Sequence, residues 1–118
     1  MAKILVALTD ERVMRYVSDD LTAHGYDVHC ANSIESVLDS LAEDRFDAMV
    51  CDIFQPVIDG VALFATVARA SPGTRVVALM DFQSARARNY DIHVWTDSIL
   101  TKPFTSQRIC DEVAFVLN

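Results

Sequence analysis

Between Phe46 and Gly60 a short apolar run, Ala48-Met49-Val50-Cys51, stops abruptly at an acid, Asp52. A loop with Pro56 and Asp59-Gly60 follows, and a helical pattern begins after it. An uninterrupted apolar run of this length reads as a strand buried on both faces, as in the middle of a parallel sheet. Ligands in such sheets sit beyond the carboxyl ends of the strands, and Asp52 stands at such an end.

The rest of the chain alternates in the same way. Strands are expected at Ile4–Leu8, Asp27–Cys30, Ala48–Asp52, Arg75–Leu79 and Ser98–Thr101. A first helix, from Asp10 to about His24, has Val13, Val17 and Leu21 on one stripe with Tyr16 beside it, and stops at Gly25. A second starts at Asn32 with Glu35 in a capping-box position, and Ile34, Val37, Leu38 and Leu41 form its apolar face. A third covers Val61–Ala70, closed by Ser71-Pro72-Gly73, and the last covers Ser106–Leu117 with Ile109, Val113, Val116 and Leu117 inward. The span from Asp81 to Asp97 is the exception. Gln83–Asn89 offers little apolar surface and Ile92–Trp95 looks extended, so a short or irregular fourth helix is expected there. Strand–helix alternation requires crossover connections, a parallel sheet and helices on both faces. Five such units in 118 residues fit one flavodoxin-like, doubly wound α/β domain spanning residues 1–118, with no output domain.

Composition removes several functions. A net charge of −7 disfavours sequence-independent nucleic-acid binding and anionic membrane surfaces. Cys30, Cys51 and Cys110 are odd in number, have no metal-type spacing, and read as small core residues of a reducing compartment. The first apolar run is too short for a signal peptide or a membrane span, so a cytoplasmic location is expected. His24, His29 and His93 share no ligand spacing and are assigned no function. Arg86 and Arg88 form a small basic spot, read as a solvated helix face.

Two motifs, Asp52-Ile-Phe-Gln-Pro56-Val-Ile-Asp59-Gly60 and Leu100-Thr-Lys102-Pro103-Phe104, resemble the receiver domain of bacterial two-component response regulators. They are specific together and only suggestive apart. Their separation leaves room for two helix–strand units, as in that family. The resemblance covers the whole chain and implies a five-stranded sheet of order 2-1-3-4-5 in three layers. It implies a phosphoacceptor rather than an enzyme, fed by a histidine kinase or a histidine phosphotransfer protein. Such phosphoryl transfer is mostly positioning and charge neutralisation. By match, Asp52 would be the acceptor and Lys102 the cation that contacts the phosphoryl group. Pro103 would hold the lysine's loop through a cis peptide bond, and the backbone carbonyl of Phe54 would face a Mg²⁺ ion.

Three positions depart from the family pattern. The acidic pair that carries Mg²⁺ is replaced by Leu8 and Thr9, followed by Asp10 and Glu11; a shift of one residue would bring Asp10 to the metal. The Ser or Thr that bonds the phosphoryl group is Met80, which cannot make that bond. The aromatic switch residue is Ile99. Thr9 serves equally well as the N-cap of the first helix, and Asp10 as a first-turn acid. Trp95 either fills the space left by a thin fourth helix or anchors a partner.

The expected function is therefore that of an atypical, stand-alone receiver that acts by binding another protein. The contact face would comprise Gln83–Trp95, Ile99, Phe104 and the outer side of the last helix, and the downstream partner is unknown. Two mechanisms compete: phosphorylation of Asp52 with Mg²⁺, and a pseudo-receiver that binds partners without phosphate. A flavin- or nucleotide-binding module would need a glycine-rich turn after the first strand, and Ala7-Leu-Thr-Asp10-Glu11 has no glycine.

Overall fold

A computed structural model of the chain describes residues 1–52, 67–80, 97–101 and 104–118. The strands are β1 (Lys3–Ala7), β2 (Asp27–Ala31), β3 (Ala48–Cys51), β4 (Arg75–Met80) and β5 (Ser98–Thr101). Helix α1 (Glu11–Ala23) joins β1 to β2, and α2 (Ile34–Glu43) joins β2 to β3. Residues 67–70 are helical, and a C-terminal helix covers Ser106–Leu117. The five strands form one parallel sheet of order β2-β1-β3-β4-β5. This is the expected doubly wound, flavodoxin-like arrangement.

Side chains alternate across each strand, and both faces of the central strands are apolar. Leu5, Ala7, Met49, Cys51, Val76 and Ala78 point to one side, where Val37 and Leu41 of α2 cover them with Phe46. Ile4, Val6, Ala48, Val50, Val77 and Leu79 point to the other. There Val17 and Leu21 of α1, with Ile109, Cys110 and Val113 of the C-terminal helix, close the second half of the core. Burying each large apolar side chain contributes about 1.5–3 kcal/mol.

Acids at the start of two strands tie down the end of the sheet opposite Asp52. Asp47 accepts from the Lys3 backbone N–H at 2.8 Å, and Asp97 accepts from that of Val76 at 2.8 Å. Thr74, the buried polar residue among the described ones, donates to the Phe46 carbonyl at 2.7 Å.

Several expectations need correction. The N-cap of α2 is Ser33, not Asn32. Its hydroxyl accepts from Ser36 N–H while Ser36 Oγ accepts from Ser33 N–H, so the reciprocal partner is Ser36 rather than Glu35. Ile34 is 41% exposed, because residues 32–35 all stand clear of the sheet. Cys30 is exposed, since β2 is an edge strand and covers nothing on its outer side. Val116 and Leu117, expected to face inward, do pack against the core while remaining half-buried. Strands β1, β2, β3 and β4 shift by one residue at one or both ends, whereas β5 and the C-terminal helix have the expected bounds. The expected irregular fourth helix and most of Val61–Ala70 lie outside the described residues.

Candidate functional site

The carboxyl edge of the sheet gathers the ends of β1, β3, β4 and β5. Register pairs Ala7 with Cys51, Cys51 with Ala78, and Met80 with Thr101. Asp52, the residue after β3, is half-buried there. Its backbone N–H donates to the Ala7 carbonyl at 3.2 Å, which continues the β1–β3 ladder by one bond.

Its side chain is held from the other side of the same crevice. The Thr9 backbone N–H donates to Asp52 Oδ1 at 2.8 Å, and the Thr9 hydroxyl donates to Oδ2 at 3.3 Å. Both carboxylate oxygens thus receive a hydrogen from one residue of the β1–α1 turn. The N–H bond is short and strong for a charge-assisted pair, and the hydroxyl bond is long and weaker.

Thr9 can do this because Asp10 caps α1. Asp10 has extended backbone (φ −89°, ψ 114°), and its Oδ1 accepts from the N–H groups of Arg12 at 2.9 Å and Val13 at 3.2 Å. The carboxylate expected as a stand-in metal ligand caps the helix start through Oδ1, and Thr9 is not the cap. Leu8, at the other altered acidic position, is 1% exposed and packs in the core beneath α1. Three consecutive residues have three separate tasks: Leu8 fills the core, Thr9 grips Asp52, and Asp10 caps a helix.

Mg²⁺ demands oxygen ligands in near-octahedral order, and the described residues just after β1 supply few. Leu8 offers none, and Asp10 already satisfies two helix N–H groups. Among the described residues no group of three or more His, Cys, Asp or Glu side chains could hold a metal ion.

The remaining candidates divide. Met80 ends β4 on the same edge, one strand from Asp52. Ile99 is half-buried and packs on the α2 side of the sheet, while Phe104 packs on the side of α1 and the C-terminal helix. Phe104, like Ile99, is half-buried. On the outer side of the C-terminal helix, Phe115 is 72% exposed. Phe54, Trp95, Lys102 and Pro103 lie outside the described residues, as do Pro56, Asp59, His93, Arg86 and Arg88. What the sequence did not reveal is that Thr9 would bond Asp52. The signal available was a hydroxyl residue two positions after a buried strand that neighbours the strand of Asp52.

Comparison with known proteins agrees with this architecture. The family model described as the response regulator receiver domain matches residues 4–114. The response regulator MprA of Mycobacterium avium (strain 104) is 28% identical over 107 residues, 91% of this chain and 47% of that protein. MprA of Mycobacterium leprae (strain TN) is 26% identical over 114 residues, 96% of this chain and 50% of that protein. The chain thus spans about half the length of these curated relatives. A receiver domain protein from Clostridium thermocellum superposes with a TM-score of 0.86 at 21% identity, covering 100% of this chain and 95% of that one. The chemotaxis response regulator CheY4 of Vibrio cholerae gives 0.84 at 24% identity, covering 98% of each. Fold, sheet order and a match over nearly the whole chain lead to one conclusion: the chain belongs to the response regulator receiver domain family of two-component signalling.

Proposed function

We propose that this receiver carries its signal by contact with partner proteins, and that Asp52 is held as a structural strap rather than used as a phosphoryl acceptor. The observation that supports this most is the Thr9 grip. The carboxylate at the family's acceptor position takes two hydrogens from its own chain, on both oxygens. Each such bond lowers the nucleophilicity of the oxygen that accepts it. No second carboxylate at Leu8 or Thr9 recruits a cation to offset the phosphoryl charge. Of the expected partner face, the outer side of the C-terminal helix exposes Phe115, and Ile99 and Phe104 are half-buried.

A second reading keeps Asp52 as acceptor from a histidine kinase or phosphotransfer protein. It is favoured by the half-buried position of Asp52 on the carboxyl edge and by Lys102-Pro103 in the sequence. Among structural neighbours, the Thermotoga maritima response regulator TrrA is known in complex with Mg²⁺-BeF, and the Vibrio cholerae neighbour is a chemotaxis regulator.

Intact-mass spectrometry after incubation with acetyl phosphate separates the two. The proposal expects no added phosphoryl group on the folded protein, with or without Mg²⁺ and with a histidine kinase as donor. A gain of one phosphoryl group that disappears in Asp52→Ala would overturn it.

A further inference from the structure

We infer that Thr9 stands where a divalent cation would engage the Asp52 carboxylate, so the site is independent of Mg²⁺. The inference shares the Thr9–Asp52 contact with the proposed function but does not need its conclusion about phosphorylation. A bound cation at a carboxylate does two things: it neutralises charge and fixes the orientation of both oxygens. Thr9 takes over both tasks with its own atoms, offsetting the charge through hydrogen-bond donors. Its N–H lies 2.8 Å from Oδ1 and its hydroxyl 3.3 Å from Oδ2. The β1–α1 turn is therefore tied directly to the end of β3.

The neighbouring residues reinforce the substitution. A cation at Asp52 would call on the residues just after β1. Leu8 is in the core and carries no oxygen ligand in its side chain. Asp10 holds the N–H groups of Arg12 and Val13 through Oδ1, so swinging the whole carboxylate toward Asp52 would cost the cap of α1. Each Asp52 carboxylate oxygen already has a donor in Thr9, and α1 has its cap.

A thermal-unfolding titration with MgCl₂, and with MnCl₂ as a second hard cation, tests this on the full chain after chelator treatment. Wild type should keep the same midpoint up to about 10 mM of either ion. Thr9→Asp, at an exposed position, places a carboxylate beside Asp52 and removes the hydroxyl. Its midpoint should be lowered without metal and raised by Mg²⁺ in a saturable way, by about 5 °C. A saturable rise in wild type overturns the inference. A folded Thr9→Asp protein that ignores both ions overturns the assignment of Thr9 to the cation's place. The outcomes also separate the two proposals. Phosphorylation of Asp52 in the presence of chelator would sink the proposed function and leave this inference intact. A wild-type Mg²⁺ response without phosphorylation would do the reverse.

Discussion

Asp52 is the residue on which the most rests, and its bonds set the expected size of changes there. Asp52→Ala leaves the Thr9 N–H without its charged acceptor and should cost about 1–2 kcal/mol. Thr9→Val removes only the long hydroxyl bond and should cost less than about 1 kcal/mol. Urea unfolding of both variants checks the order; a larger loss in Thr9→Val would mean that the hydroxyl, not the N–H, carries the grip. Cysteines offer a second check at this scale. Cys30 is exposed with its thiol 3.1 Å from Ser18 Oγ, whereas Cys51 and Cys110 are buried. One fast thiol is expected in native labelling with a disulfide reagent, and it should vanish in Cys30→Ser. Burial, helped by the Asp20 and Asp111 carboxylates, raises the pKa of the Cys110 thiol. The folded thiol therefore keeps its proton where the unfolded one has lost it. That contribution is complete below the ordinary thiol value, about 8.5, and is lost as pH rises through the raised value. Unfolding scans above that pH should show stability falling less steeply in Cys110→Ala.

Helix ends decide the elements. Asp10→Ala removes the acceptor for two N–H groups of α1 and should lower stability by about 1 kcal/mol, while Asp10→Ser should recover most of it. If Asp10→Ala changed stability only when Mg²⁺ was present, the carboxylate would be a metal ligand instead. Gly25, after the C-cap of α1, has φ +93° and open space where a methyl group would stand, so Gly25→Ala should cost about 1–2 kcal/mol through backbone strain alone. These ends also show how far the sequence could be read. The C-terminal helix was legible at both ends, from its apolar spacing and a start just after Thr105, whose hydroxyl accepts from the Arg108 N–H. The start of α2 was misplaced because Asn32 with Glu35 fits the usual capping template, whereas the chain uses two serines that accept from each other. Template reasoning assigns a reciprocal cap to the nearest acid and overlooks a hydroxyl that can serve as well. Cys30 was misjudged for a different reason: small apolar residues look alike in a sequence whether their strand is central or at an edge.

At the scale of the molecule, the sheet order and three layers followed from strand–helix alternation and from the two motifs. Strands β1 and β3 are apolar on both faces because helices cover both sides, and that pattern is plain in the order of the residues alone. The site was legible as a location but not as an arrangement. That Asp52 would sit at the carboxyl edge followed from its place after an apolar run. That Thr9 would fill the role of a missing acid depended on how the β1–α1 turn folds around the Asp10 cap, which no residue pattern specifies. The consequence reaches the whole fold, because the turn, β3 and α1 are joined through one carboxylate and one cap. The amide proton of Thr9, followed by two-dimensional NMR, tests that linkage most directly. Bonded to Asp52, it should resonate well downfield, move upfield in Asp52→Ala, and stay in place when about 10 mM Mg²⁺ is added. A Thr9 amide that is unchanged in Asp52→Ala, or that shifts with Mg²⁺ in wild type, would contradict it.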